Sequence, residues 1–474
     1  MLPDAGAKLQ PTRERGGESE AFGETALPVP PFPEPLKTAL GVGSLLLTLW
    51  RNPLEAWTRR HFDEPIVFER TALGEFVVVS DPGAIRHVLV DNASNYGKGE
   101  LQRRVLGKAM RSGLLLAEGE TWHGQRKALA PAFAHRAVTD FAPAMQAAID
   151  DLTERWRALT DGSVIDVGAE MARLALDVLT HTVFAEGLGG DREEIRRNMR
   201  VYFDSVGHID AFDLLGLPDF VPRVGRWRAL SAENYFHAAV DRLLGARRRQ
   251  LAADAARAPH DLLTLLLAAR NEVTGRSLSE AEIRDNLVTF VAAGHETTAN
   301  ALTWSFYLLT LSPQWRDRLR READGGAPEL VQARAVVEEA LRLYPPLVAI
   351  SREALAADEL AGRRIGRGAM VVIAPYVLHR QLALWDRPEA FDPRRFLPER
   401  KAEIPRFAYL PFGAGPRICI GAAFALQEAT LALSAITREF DLTVAPGHIV
   451  WPQQRVTLAP RGGLPVVVRR RSRG

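Results

Sequence analysis

The sequence predicts a mainly α-helical protein with a small β part, an α+β fold, on three observations. Ser279 to the residue before Pro313 reads as one long helix, and about Ala137 to Arg270 carries mainly helical periodicity. Strand-like alternation is confined to short runs, the clearest being Ile66 to Ser80. The length of 474 residues exceeds a usual single domain, yet no Gly/Ser linker, repeat or low-complexity run divides the chain after residue 35. The expected organisation is a disordered, Pro-rich lead-in over 1–35 and a single domain over 36–474.

Taken in order, residues 1–27 are polar and Gly-rich, and Pro28 to Pro35 stiffens into an extended segment. Leu40 to Trp50 has about half the apolar length of a bilayer span, so it reads as the start of an amphipathic helix ahead of Asn52-Pro53. Leu45, Leu46, Leu47 and Trp50 leave room for peripheral membrane contact. Residues 1–20 are charged and lack an apolar core, which speaks against a signal peptide and for a cytoplasmic protein. Ile66 to Ser80 folds as a hairpin around Leu73-Gly74-Glu75, and Asp81-Pro82 opens a helix. Breaks in the helical region are expected at Asp161-Gly162, Gly187 to Gly190 and Gly207 to Pro222. Ser279 with Glu282 forms a capping box for the long helix, which at 1.5 Å per residue spans roughly 50 Å.

A hydrophobic share of 47% and a charged share of 25% are those of an ordinary globular protein. Net charge +2 and a pI near 8.7, with no basic stripe interleaved with aromatics, give no case for nucleic acid. A single cysteine excludes an intrachain disulfide, a multi-cysteine zinc site and covalent Cys-x-x-Cys-His haem attachment.

That cysteine, Cys419, sits in Phe412-Gly413-Ala414-Gly415-Pro416-Arg417-Ile418-Cys419-Ile420-Gly421. The glycines permit backbone conformations closed to other residues and close approach to a flat ligand. Apolar residues at helical spacing from Ala422 to Phe440 place Cys419 just before a helix N-terminus, where the macrodipole favours a thiolate. A lone cysteine is by default a small buried hydrophobe; turn glycines, Arg417 and a helix start make this one a metal-ligand candidate.

The centre of the long helix reads Ala292-Ala293-Gly294-His295-Glu296-Thr297-Thr298, poor helix formers in a core position. A close helix crossing, with Thr297 bonding the carbonyl one turn back, explains it blandly. A ligand groove with Glu296 and Thr297 as a proton relay explains it functionally. Glu339 and Arg342 share a helix face, ordinarily a solvated pair worth under about 1 kcal/mol. Trp122 and Arg126, four apart, put an indole N–H and a guanidinium on one side, a fit for a carboxylate. Lys127 reads as surface.

These stretches resemble the cytochrome P-450 monooxygenase family. Phe412-x-x-Gly415-x-Arg417-x-Cys419-x-Gly421 is similar to its haem-binding loop, and Ala293-Gly294-x-Glu296-Thr297-Thr298 to its oxygen-activation motif. Glu339-x-x-Arg342 with Phe391-x-Pro393-x-Arg395-Phe396 resembles its structural Glu-Arg-Arg network, with Arg394 where many relatives have Glu. Trp122-x-x-x-Arg126 matches its Trp-x-x-x-Arg motif. The motifs run from Trp122 to Gly421 in the family's order.

The resemblance implies the cytochrome P-450 fold and haem b with Cys419 thiolate as axial ligand. Trp122, Arg126, Arg352, Phe412, Gly415, Arg417 and Gly421 would hold the cofactor, and Arg352 would follow a strand at Leu347 to Ser351. By the same analogy Thr297 would bond dioxygen at the iron and Glu296 would relay protons from solvent. The pocket would be lined by Tyr96 to Leu116, His208 to Val221 (with Phe212, Leu214 and Leu215), Ala293, Leu347, Val348, Ala349, Ile350 and Val456, which suits an apolar substrate.

The expected function is a haem-thiolate monooxygenase that places one atom of O2 into a small apolar molecule of lipid, terpenoid or steroid class, by hydroxylation or epoxidation. The alternatives are a peroxide-driven or isomerising haem-thiolate enzyme, or a haem-binding protein without turnover. With no flavin or nicotinamide loop and no cysteines for an iron–sulfur cluster, electrons are expected from a separate ferredoxin with its reductase, or a flavodoxin-type donor. Arg400, Lys401, Arg406 and Arg438 form either its docking face or scattered solvated charges. A monomer without a transmembrane span is expected.

Overall fold

The computed structural model describes residues 27–71, 74–99, 111–183, 226–259, 261–271, 275–327 and 329–471. The expected disorder over 1–26, the breaks at Gly187 to Gly190 and Gly207 to Pro222, the pocket segment His208 to Val221 and residues 100–110 of another lie outside the described residues.

The helices are α1 (Val42–Arg51), α2 (Arg59–Asp63), α3 (Pro82–Arg86), α4 (Gly119–Leu129), α5 (His135–Asp140), α6 (Ala142–Arg157), α7 (Val167–Val183) and α8 (Arg226–Ala253). They continue as α9 (Leu262–Ala268), α10 (Glu280–Leu311), α11 (Pro313–Asp324), α12 (Val331–Leu343), α13 (Pro375–Leu378), α14 (Pro398–Lys401) and α15 (Ala422–Glu439). The strands are β1 (Ile66–Thr71), β2 (Gly74–Val79), β3 (Tyr96–Gly97), β4 (Val164–Asp166), β5 (Ile350–Ala354) and β6 (Asp358–Leu360). After them come β7 (Arg363–Ile365), β8 (Met370–Ile373), β9 (Phe440–Val444), β10 (Pro452–Gln454), β11 (Leu458–Pro460) and β12 (Pro465–Arg470).

β1 and β2 form the expected antiparallel hairpin, and Asp81 caps α3 through Ala84 N at 2.7 Å with Pro82 in the first turn. The hairpin extends into a sheet of order β1-β2-β8-β5-β3, in which β2 and β8 are parallel and the other pairings antiparallel. A second apolar cluster lies on this sheet, with Val77, Val79, Ile85, Val371 and Leu410 in it. The main core belongs to the helices.

α10 runs through that core and packs against α7, α12 and α15. Ser279 caps it, accepting from Glu282 N while the Glu282 side chain accepts from Ser279 N at 2.8 Å, the reciprocal box its sequence predicts. Pro313 starts α11 immediately after, because a proline continues no helix but opens one well.

The Pro-rich lead-in is tied down from Pro28 onward. The Phe391 amide donates to Pro28 O at 2.9 Å and the Tyr344 hydroxyl to Pro31 O at 2.7 Å. α1 buries none of its residues and exposes Val42, Leu46, Leu47 and Trp50. Among the described residues no helix is long and apolar enough to cross a membrane.

Candidate active site

The Cys419 loop is shaped by its neighbours. Gly413 and Gly415 both take φ +71°, and a Cβ on Gly415 would lie 1.8 Å from the carbonyl oxygen of Leu89. Leu89 belongs to a π-helical turn, His87–Asp91, that packs beneath the loop. The close approach that demands glycine at 415 is thus to protein backbone. The Cys419 amide donates to Phe412 O at 2.9 Å and closes the loop, and Gly421 caps α15.

Cys419 is exposed, yet the protein mass around its sulfur is dense, so the side chain faces a recess. Burial pushes the thiol's pKa up, against the opposing pull of the Gly421 N–H and the Arg126 charge. A metal ion at the sulfur would add a further positive charge favouring the thiolate.

Beside the loop lies a cluster of guanidinium groups. Arg417 stacks 4.5 Å over the Trp122 ring and donates to Ala117 O at 3.1 Å and Glu118 Oε2 at 2.6 Å. Arg352 lies within β5, two residues beyond the β5 start at Ile350, so the strand runs later than Leu347 to Ser351. Burial, then the Arg417 charge, lowers its pKa to about 10. Arg126 on α4 is lowered by burial and held up by Cys419, and among the described residues it has no hydrogen-bonded acceptor. Trp122 is buried and Lys127 is exposed. Three arginines against the single carboxylate Glu118 leave two positive charges uncompensated by described residues. A group with two carboxylates and a metal at the sulfur fits this donor set, as the propionates and iron of haem do.

In α10, burial is continuous over Ile283–Val291 apart from Arg284 and resumes at Thr298, whereas Ala293 between them is exposed. A Cβ on Gly294 would lie 3.3 Å from Leu179 Cδ2 of α7, and Thr297 Oγ1 donates to Ala293 O at 2.6 Å. The bland reading of the motif, a helix crossing at Gly294 with Thr297 bonded to the carbonyl one turn back, is seen directly, and Ala293 one residue away is exposed. Glu296 Oε1 accepts from Thr457 Oγ1 at 2.5 Å, and Thr457 in turn accepts from Asn300 Nδ2 at 2.9 Å. Sequence reasoning missed both partners; the visible trace was a polar residue one turn after Glu296.

Behind the loop, Glu339 and Arg342 of α12 are fully buried and paired through two bonds of 2.7 Å, so the solvated-pair reading is excluded. Arg342 also donates to the carbonyls of His379, Pro388 and Ala390, and Arg395 Nε lies 3.6 Å from Glu339. Arg394 pairs with Asp392. His379, unnoticed in the sequence, accepts from Leu410 N at 2.8 Å through Nε2, which leaves Nδ1–H for Arg342 O at 3.2 Å. It links the ion pair to the extended segment entering the Cys419 loop.

Of the expected pocket residues, Leu347 and Ala349 are exposed and Val456 is half-buried. Val348 instead packs into the main core, because alternate residues of this extended segment point opposite ways. The basic docking face is largely neutralised: Lys401 pairs with Glu338, Arg400 with Glu403 and Arg438 with Asp324. Arg406 rests over Phe407.

The chain belongs to the cytochrome P450 family, whose model matches residues 30–464, and it is an oxygen-incorporating oxidoreductase. It is 32% identical over 452 residues to cyclooctat-9-en-7-ol 5-monooxygenase of Streptomyces melanosporofaciens, covering 92% of this chain and 95% of that one. Pentalenene oxygenase of Streptomyces avermitilis is 32% identical, over 86% of this chain and 91% of its own. The crystal structure of the cytochrome P450DA heme domain superposes with a TM-score of 0.78 at 24% identity, covering 94% of this chain and 98% of that one.

Proposed function

We propose that Cys419 is the axial thiolate of a haem b, and that the enzyme hydroxylates or epoxidises an apolar substrate of the terpenoid class. The reading rests above all on the only cysteine of the chain lying in a recess beside three arginines with one carboxylate among them in the described residues. Relatives named for cyclooctat-9-en-7-ol and pentalenene support an alkene-bearing, apolar substrate.

Bound haem supplies dioxygen activation, with overall balance of substrate C–H, O2, two electrons and two protons giving C–OH and water. Arg126, Arg352 and Arg417 hold its carboxylates, with Trp122 keeping Arg417 in place by stacking. Phe412, Gly415 and Gly421 shape the loop that presents the sulfur. Thr297, bonded to the carbonyl one turn back, holds a hydroxyl at the exposed stretch of α10 and passes a proton from its Oγ1. Glu296 replenishes that proton. Leu347, Ala349, Ala293 and Val456 exclude water and favour an apolar ligand. The electrons come from a ferredoxin or flavodoxin-type protein, for which Arg406 is the basic residue of the expected docking set that makes no ion pair with a described residue.

In the reduced, carbon-monoxide-saturated protein the Soret band should be strongly red-shifted, and Cys419→Ser should abolish that shift. An unshifted wild-type band would sink the thiolate assignment. Thr297→Ala should release roughly threefold or more hydrogen peroxide per NAD(P)H consumed; unchanged coupling would remove Thr297 from the relay.

A further inference from the structure

Glu296, Asn300 and Trp304 succeed one another by a turn along α10, and all three meet one short piece of chain from the C-terminal hairpin β10–β11. Asn300 Nδ2 donates to Thr457 Oγ1 at 2.9 Å, and Trp304 Nε1 donates to the carbonyl of Leu458 at 2.9 Å. From the other side, Leu458 N donates to Pro346 O at 3.0 Å. Residues 457 and 458 are buried and clamped between α10 and the segment leading to β5.

The direction of the bonds matters. A hydroxyl has one hydrogen to give. With the Asn300 amide N–H filling a lone pair of Thr457, that hydrogen goes to Glu296 Oε1, at 2.5 Å. Glu296 itself sits on the stretch of α10 that is open to the site, and a long side chain with a free carboxyl there samples several rotamers. A clamped hydroxyl restricts it to one.

We propose that Thr457 and Asn300 are positioning residues for Glu296: the hairpin fixes the carboxyl so that proton delivery toward Thr297 starts from a defined geometry. This rests on the relay reading above. Neither residue touches the reacting atoms, so the effect runs through Glu296 alone.

The test uses full-length haem-loaded protein with a surrogate ferredoxin and ferredoxin reductase, measuring hydrogen peroxide released per NAD(P)H without added substrate. Glu296→Gln is the reference. Thr457→Val removes the hydroxyl at near-constant shape and should raise the peroxide fraction about threefold to tenfold, the worth of one hydrogen bond. Thr457→Ser should restore it. In the resting protein, the infrared carboxyl band isolated by subtracting Glu296→Gln should shift in Thr457→Val and return in Thr457→Ser, a readout independent of turnover. If Glu296→Gln raises peroxide while Thr457→Val changes neither signal, the positioning role is wrong and the relay stands. If Glu296→Gln leaves the peroxide fraction unchanged, the relay falls and the positioning role with it. Should Thr457→Val lose its haem, Asn300→Asp asks the same question from the other end. It puts an acceptor where the donor was, turns the Thr457 hydrogen away from Glu296 and should give the same two changes; their absence overturns the proposal.

Discussion

A methyl group is too large for position 415. The backbone there is left-handed, which for an L-residue costs roughly 1–2 kcal/mol, and the added Cβ would collide with the Leu89 carbonyl besides. Gly415→Ala should therefore destabilise by more than the strain alone and loosen the Cys419 loop, seen as a lower urea midpoint and faster haem loss to apomyoglobin. Wild-type retention in this variant would show that the turn beneath the loop yields. The need for glycine at this position was legible in the sequence, but its cause was not, because Leu89 is remote along the chain. Cys419, Glu296 and Thr297 stood out as residue types that fit poorly in their local pattern. Thr457, His379 and Glu118 did not, since a hydroxyl, an imidazole or a carboxylate becomes informative only beside its partner.

At the scale of elements, α12 and the loop entered at Leu410 are joined through His379. Its ring is wholly buried, and burial, then the Arg342 charge, lowers its pKa from 6.5 to about 3. The unfolded chain binds the proton that the folded ring refuses. The His379 contribution is accordingly full above pH 6.5 and is lost progressively as pH falls from there toward 3. Urea midpoints of wild type should drop across that window more steeply than those of His379→Gln; parallel curves would mean the ring ionises freely in the folded state. The ends of α10 and the β1–β2 hairpin followed from capping chemistry and alternation, both local rules. The start of β5 was misplaced because its limits are set by pairing with β8 and β3, which leaves no mark in its own residues.

For the whole molecule, the lead-in is a strap from the N-terminus to the helix that carries the Glu339–Arg342 pair. Its contacts at Pro28 and Pro31 end on Phe391 and Tyr344, either side of the network behind the Cys419 loop. A chain beginning at Leu36 should be less stable than one beginning at Leu27 by roughly 1–3 kcal/mol, at about 1 kcal/mol per hydrogen bond plus packing, read by thermal unfolding. Equal melting temperatures would reduce the strap to decoration. Fold class was legible because the helical periods are long and the strands short, while tertiary ties such as this strap depend on topology alone.

The spacing of Glu296, Asn300 and Trp304 also limits how this gene can drift in length. Each residue inserted into or deleted from a helix turns everything beyond it by about 100°. An indel between positions 296 and 304 would thus swing part of the row away from the hairpin, whereas codons gained in exposed loops leave the row intact. Length variation among descendants should skip this nine-residue window of α10 and collect elsewhere.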